Sequence, residues 1–486
     1  MKAKKIAIIG AGIGGMAAAI RLAAQGHSVE VYDKNSSPGG KLSQFWEDGF
    51  RFDAGPSLFT MPHLVNELLA LAAMPPLAYE RLDVLCQYFY EDGTQLTAWA
   101  DAEKFAAEAA AKTNTAAEKI KQHLAQSAFI YQHTHRIFLE SSLHRWRTYV
   151  QFSTLKAALR LPFLGMGQSL HRKNVTQFPY SPHLQQLFDR FATYNGSNPY
   201  QTPATLLVIP HLEHHLGAYF PEGGMYSIVE KLYEAAQKLQ VKFVFNTEVS
   251  EILVQKNSVQ DIRIGTEKIA YNAVVSNSDV YFSYHKLLPH AAKPQRILSQ
   301  ERSSSAIIFY WGIDRSFPQL SLHNIFFSQN YRAEFEAIFT EKKLYEDPTV
   351  YVNISSKYAD ADAPPNCENW FVMINTTAHN KQNWAEWVAT ARKAVIAKLS
   401  RMLCADIASC IVCEQVMHPL LIQENTGSYA GALYGNSSNK MLAAFLRHPN
   451  FSRNLKNLYF CGGSVHPGGG IPLSLLSAKI VADNFS

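Results

Sequence analysis

Lys5-Ile6-Ala7-Ile8-Ile9-Gly10-Ala11-Gly12-Ile13-Gly14-Gly15 decides the fold. An apolar run that stops at a glycine turn and passes into a helical pattern reaching Gln25 is a strand-turn-helix. The first glycine makes the tight turn, the second lets a pyrophosphate approach the backbone, and the last lets helix meet strand. The helix N-terminus then faces the phosphates. Val29-Glu30-Val31-Tyr32 reads as the next strand and ends at Asp33, where the acid that binds a ribose hydroxyl is expected. An acid there argues against a 2′-phosphate, so this piece predicts an α/β domain that holds a dinucleotide.

The residues that follow narrow the dinucleotide. Pro38-Gly39-Gly40-Lys41 comes just after the acid, then Gly49-Phe50-Arg51-Phe52-Asp53 and Gly55-Pro56-Ser57. Paired glycines after the second strand let a further stretch of backbone lie against the cofactor, and Lys41 can meet its phosphate charge. A surface turn is the plainer reading of the pair alone. Together with the fingerprint it points to FAD in an extended conformation. Near the other end, Leu458-Tyr459-Phe460-Cys461 is a short apolar strand, followed by Gly462-Gly463-Ser464-Val465-His466-Pro467-Gly468-Gly469-Gly470-Ile471-Pro472 and a helical pattern to Phe485. So many glycines between strand and helix imply backbone packed against something flat or charged. The helix start at Ile471-Pro472 can direct its positive end at the flavin pyrimidine or ribityl region.

With these motifs the chain resembles the phytoene desaturase-type carotenoid oxidoreductases, within the wider amine-oxidase-like flavoproteins, over nearly its whole length. Further carriers are Phe52-Asp53-Ala54-Gly55-Pro56-Ser57, Tyr219-Phe220-Pro221-Glu222-Gly223-Gly224-Met225 and Ala273-Val274-Val275-Ser276-Asn277-Ser278-Asp279. His466 to Pro472 is the most specific. The resemblance implies an α/β fold: a Rossmann-like FAD-binding domain assembled from discontinuous segments, a mixed-sheet substrate domain, and a helical subdomain able to associate with a membrane. It implies cofactor contacts at Gly10, Gly12, Gly14, Gly15, Asp33, Lys34, Gly39, Gly40, Lys41, Pro56, Ser57, Leu58, Val249, Asn277, Gly463, Ser464, Gly470, Ile471 and Pro472. Val249 is expected to contact the adenine through its backbone; a buried strand valine is compatible with that.

The expected division is residues 1–75, 216–284 and 416–486 for FAD, 76–215 for a helical substrate and membrane-associating region, and 285–415 for substrate binding. In the second FAD piece Met225, Ile228, Val229, Leu232, Ala236 and Leu239 keep a helical period. Strands are expected at Val241 to Phe245, Thr247 to Val254 and Val259 to Ile264, the last two resembling a hairpin. Ala306 to Gly312, Tyr351 to Ile354 and Phe371 to Asn375 read as strands of a sheet that walls a tunnel beside the flavin, although core packing alone accounts for most of their aromatics.

The chain has 486 residues, 47% of them hydrophobic and 17% charged, enough to bury more than one core. It has no apolar run long enough to span a membrane. Lys2, Lys4 and Lys5 before an apolar stretch look superficially like a secretory signal, but that stretch is short, glycine-broken and already used as strand and phosphate turn. A cytoplasmic location, peripheral to the cytoplasmic membrane, is the expectation. Six scattered cysteines do not make a disulfide framework. Ala408 to Cys413, with its C-x-x-C, reads as an apolar strand rather than a metal or redox site. His211, His214 and His215 around Glu213 have helical spacing that could share a metal, but packed or solvated histidines fit better, and no metal is assigned. A net charge of +5 is too modest to propose nucleic-acid binding. From Leu143 to Lys173 its distribution is distinctive: Arg145, Arg147, Lys156, Arg160, Arg172 and Lys173, no acid, and aromatics such as Trp146, Tyr149 and Phe152 between them. Such a segment suits either an anionic lipid interface or a basic helix packed inward, and the family's bilayer-dwelling polyenes favour the interface.

The resemblance also implies the chemistry. Hydride loss from an allylic carbon to flavin N5, then proton loss from the neighbouring carbon, needs little from side chains, because the polyene spreads the charge. The protein must hold one bond against the flavin and keep water away. His466 is a tempting base, but a backbone role fits its glycine-rich setting equally, and no catalytic residue is assigned. Gly427-Ser428-Tyr429-Ala430-Gly431-Ala432-Leu433-Tyr434-Gly435, Ala443-Ala444-Phe445 and Gly463-Ser464-Val465-His466 look more like hydroxycarotenoid 3,4-desaturases than phytoene desaturases, which usually carry Gly-Ala-Gly-Thr where Gly462 to Val465 stand. A substrate such as 1′-hydroxy-γ-carotene follows, its hydroxyl meeting a polar group among Asn353, Ser355, Asn375 or Thr376. Phytoene desaturases, carotenoid ketolases and isomerases remain open, as do a retinol saturase, a soluble amine oxidase and a flavin-free lipid carrier like Rab GDP-dissociation inhibitors. The electron acceptor is oxygen or a membrane quinone.

Overall fold

The computed structural model describes residues 2–145, 148, 167–378, 382–440, 443 and 447–485. Most of the basic segment Leu143 to Lys173, and Ala444 with Phe445, therefore lie outside the described residues.

The apolar run Lys5–Ile9 becomes the central strand of a five-stranded parallel sheet. Ser28–Tyr32 and then Lys242–Val244 lie on one side of it, Ala273–Ser276 and then Leu458–Phe460 on the other. Strand order thus reverses beside Lys5–Ile9, and in open α/β sheets ligands bind beyond the carboxyl ends at that crevice. Three helices, Ile13–Ala24, Ser227–Lys238 and Ile471–Asp483, cover one face through a shared core that includes Met16, Leu232 and Leu475. A three-stranded antiparallel sheet, Glu251–Gln255, Ser258–Ile264 and Glu267–Ala270, covers the other. The hairpin is shorter than the sequence suggests. Thr247 donates its N–H to the carbonyl of Asp33 at 2.9 Å, which draws 247–249 off the hairpin and across the end of Ser28–Tyr32.

A seven-stranded sheet stands beside this domain, in the order Ile411–Met417, Ser305–Ile313, Glu368–Thr376, Val350–Ile354, His323–Phe326, Val84–Phe89, Gln95–Trp99. All neighbours are antiparallel except His323–Phe326 with Val84–Phe89. The last two strands, with Tyr79–Arg81, come from a segment whose pattern suggests helices. They form because Tyr90 accepts and donates across a tight turn whose Gly93 has φ +85°. Ile411–Met417 begins later than the sequence suggests: Ile407–Cys410 is a helical turn, capped where the Asp406 side chain accepts from the Ser409 N–H.

Pleating gives the large sheet two distinct faces. Ile307, Phe309, Trp311, Trp370, Val372 and Ile374 pack under the helix Trp384–Leu403 through Ala391, Val395 and Leu399. The alternate residues, among them Ile308, Tyr310 and Phe371, pack with Phe50 and Phe52 on the side of the parallel-sheet domain. A buried ionic rivet joins the two bodies. Arg51 reaches Asp53 at 2.9 Å and Asp362 at 3.1 Å. The Asp53 carboxylate accepts the N–H groups of Met225 and Tyr226, just before the helix Ser227–Lys238. The Phe50-Arg51-Phe52-Asp53 motif is thereby accounted for by assembly.

Candidate active site

A single cavity of about 1240 Å³ runs from the crevice of the parallel sheet to the inner face of the seven-stranded sheet. Gly10, Gly12, Gly14, Asp33, Lys34, Gly39, Gly40, Lys41, Pro56, Ser57, Leu58, Val249, Asn277, Gly463, Ser464, Gly470, Ile471 and Pro472 all line it. Gly15 is buried behind the turn, where a Cβ would come within 2.0 Å of the Gly10 carbonyl oxygen. Only glycine permits that helix-to-strand approach.

The nucleotide end is built from backbone. Gly39, at φ +118°, donates its N–H to the Ala11 carbonyl at 2.9 Å, so the glycine pair lies directly on the Gly10 to Gly15 turn. A Cβ on Gly39 would strike the Leu42 carbonyl oxygen at 2.1 Å. The Asp33 carboxylate accepts from the N–H of Ala11 at 2.6 Å and of Asn35 at 2.9 Å, which aims it across the mouth of the turn. Asn277 donates through Nδ2 to the Gly10 carbonyl, and Cys461 donates weakly to its Oδ1, tying both glycine turns to one side chain. Ser464 Oγ accepts the N–H of Val280 at 3.0 Å. The helices Ile13–Ala24 and Ile471–Asp483 start at Gly12 and Gly470 without a side-chain cap, so both N-termini present unclaimed donors at the cavity wall. Lys41 is tied back: Nζ donates to the carbonyls of Ala432 and Leu433, and burial pulls its pKa down to about 8, opposed by Asp279. Lys34 donates to the Glu424 carbonyl at the exposed rim.

The other end is apolar with one polar corner. Ile308, Tyr310, Ile325, Phe371 and Met373 supply the sheet face. In the corner, Arg190 donates to Glu213 at 3.3 Å, to the Tyr88 hydroxyl at 2.6 Å and to the Tyr194 hydroxyl at 3.2 Å, and Tyr194 also donates to Glu213. Burial raises the Glu213 pKa while Arg190 lowers it. Beside them the Ser57 and Tyr351 hydroxyls lie 2.7 Å apart, and Tyr351 meets His323 Nδ1 at 2.8 Å. Burial, with Arg190 adding its charge, pushes His323 down to about 3.

This corner was missed at the sequence level, where Glu213 stood out only among histidines. Glu213 belongs to Arg190, His214 stacks on Phe105 at 4.8 Å, and no group of metal-ligating residues exists among those described. His466 does not reach the cavity. Its Nε2 meets the Ser141 carbonyl at 2.9 Å, and burial pulls its pKa down to about 4. Of the polar candidates for a substrate hydroxyl, only Asn375 lines the cavity. Ser355 donates to Asp362, Asn353 donates to the Leu322 carbonyl, and Thr376 is buried away from it.

A parallel sheet with its crevice, a carboxylate beside a glycine turn, and two uncapped helix starts facing one cavity define a flavin-dependent oxidoreductase that holds FAD. The chain belongs to the flavin-containing amine oxidoreductase family, whose pattern it matches over residues 13–485. It is 51% identical over 484 residues to a 1-hydroxycarotenoid 3,4-desaturase from Flavobacterium sp. strain P99-3, covering 99% of this chain and 98% of that one. It is 33% identical to a 4,4′-diapolycopene oxygenase from Methylomonas sp., covering 99% and 97%. A putrescine oxidase triple mutant shares the fold at a TM-score of 0.65 and 13% identity, covering 99% of this chain and 98% of that one.

Proposed function

We propose that the chain introduces the C-3′,4′ double bond into a 1′-hydroxycarotenoid such as 1′-hydroxy-γ-carotene. The observation that carries the reading is the continuity of one cavity from the phosphate turn to an apolar sheet face, a shape suited to laying a polyene beside a flavin. The 51% identity to a desaturase, against 33% to an oxygenase, supports removal of hydrogen over addition of oxygen.

Bound FAD supplies the hydride acceptor. The protein's own part is positioning. Gly10 to Gly14 and Asp33 hold the nucleotide, Pro56, Ser57 and Leu58 border the reacting region, and the sheet face excludes water while one carbon loses a hydride and its neighbour a proton. The electrons leave to oxygen or a membrane quinone. Residues 1–75, 216–284 and 416–486 serve the cofactor, and 76–215 with 285–415 the polyene. Among the described residues no helix is long and apolar enough to cross a membrane. We assign substrate entry to a peripheral contact through the basic stretch from Leu143 to Lys173.

The test is expression in bacteria that accumulate phytoene, lycopene or 1′-hydroxy-γ-carotene, with pigments resolved by chromatography, absorption and mass. The expected outcome is a two-hydrogen loss with a red-shifted spectrum from the hydroxylated pigment alone. Coloured products from phytoene would make it an early desaturase, and a mass gain of one oxygen an oxygenase. Unchanged pigments beside flavin-loaded protein would sink the desaturase reading.

A further inference from the structure

If the hydroxyl is on carbon 1 and the new double bond joins carbons 3 and 4, a single carbon separates the hydroxyl-bearing carbon from the reacting bond. A group that reads this hydroxyl therefore stands beside the segment bordering the flavin, not at the far end of a polyene channel. It must also line the cavity and carry a polar atom that the protein leaves unused. His323 meets all three conditions. It lines the cavity, is 3% exposed, and is joined to Ser57 through the Tyr351 hydroxyl at 2.8 and 2.7 Å. Its Nε2 has no hydrogen-bond partner among the described residues.

The neighbours fix which nitrogen carries the proton. Asn353 Nδ2 donates to the Leu322 carbonyl at 3.0 Å, which sets the orientation of the amide, and the same nitrogen lies 3.2 Å from His323 Nδ1. A donor facing Nδ1 makes it the acceptor and leaves the proton on Nε2. Burial keeps the ring neutral, so it offers a donor without a charge, matched to an alcohol.

We infer that His323 is the residue that selects and positions the hydroxylated end group, donating from Nε2 to the substrate's hydroxyl oxygen, with Tyr351 and Asn353 holding the ring. This rests on the desaturase reading. A site built to hydrogen-bond a hydroxyl rejects the analogue lacking it, because its own buried polar atom is left unpaired.

The test compares purified, flavin-loaded wild type with His323→Leu, His323→Gln and Tyr310→Phe on 1′-hydroxy-γ-carotene and γ-carotene in liposomes, reading kcat/KM and the flavin absorbance per protein. Wild type should favour the hydroxylated pigment. The preference should fall about tenfold or more in His323→Leu and be partly restored in His323→Gln, which keeps an N–H donor, at unchanged flavin content. Tyr310 also lines the cavity with a hydroxyl that has no partner among the described residues, and Tyr310→Phe should keep the preference. A preference that survives in His323→Leu, or disappears only in Tyr310→Phe, overturns the assignment while the desaturase reading stands. If His323→Leu loses its flavin, flavin-loaded His323→Phe, which also lacks a donor, decides in its place, and an undiminished preference there overturns the assignment. Wild type inert on both pigments overturns the reading and the inference together.

Discussion

His123 lies fully buried on the helix Ala117–Phe138, its ring 5.0 Å from that of Phe178 and 4.3 Å from that of Phe188. Neither ring nitrogen has a partner among the described residues, and burial, helped by the charge on Lys173, pushes its pKa down to about 3. The folded-state value is thus below the unfolded one, so the unfolded chain takes up the proton first. Stability is lost as pH falls below the ordinary histidine range, and the loss continues towards pH 3. His123→Phe should raise stability at pH 7 by about 1–3 kcal/mol, the cost of unsatisfied buried polar atoms. It should also flatten the pH dependence below 6.5 by up to about 1.4 kcal/mol per pH unit. Denaturant titrations at pH 7 and 5 check both; an unchanged slope would mean that the ring titrates freely in the folded protein. Residues of this kind are illegible in sequence, because a lone histidine carries no mark of what surrounds it. Gly15 and Asp33 were legible because strand, glycine turn and the acid after the next strand occupy fixed local spacings. Arg190, Glu213 and His323 were not: their partners Tyr88, Tyr194 and Tyr351 come from separate elements, and no motif encodes the meeting.

Glu368–Thr376 shows how an element divides its labour. Ile374 is fully buried under the helix Trp384–Leu403, whereas Met373, next to it, lines the cavity. Ile374→Ala should therefore cost about 2–5 kcal/mol, read as a lowered denaturation midpoint, with the product pattern unchanged. Met373→Ala should leave the midpoint nearly in place and alter turnover or product distribution. Equal loss of stability in both variants would contradict the two-faced sheet. The three strands carrying aromatic and branched runs, around Tyr310, Val352 and Val372, were visible in the sequence. Val84–Phe89 was not: it gains its place by parallel pairing with His323–Phe326, a partner remote in sequence that no local pattern announces. For the same reason 247–249 read as strand, since the bond that holds it away from the hairpin is to the carbonyl of Asp33, remote in sequence.

At the scale of the whole molecule, three pieces of chain converge on one crevice because each contributes a parallel strand: Lys5–Ile9 and Ser28–Tyr32, then Lys242–Val244 and Ala273–Ser276, then Leu458–Phe460. The glycine motifs that mark them are local, which is why a discontinuous domain could be read from one sequence. How the polyene arrives is a property of the outer surface. Of the cations between Leu143 and Lys173, Arg145 is engaged over the Phe451 ring at 4.7 Å, while Arg172 is exposed on the helix Leu170–Gln177. A cation near an anionic bilayer contributes about 1 kcal/mol, an attraction that salt screens. The purified flavin-loaded protein should co-sediment with phosphatidylglycerol vesicles at low salt, far less with phosphatidylcholine, and release as salt rises. Changing Arg147, Lys156, Arg160 and Arg172 together to Gln should weaken that binding by at least tenfold while flavin content holds. Equal binding to both lipids, or a variant that binds as well as the wild type, would remove this stretch as the membrane contact and leave the polyene to enter by another face.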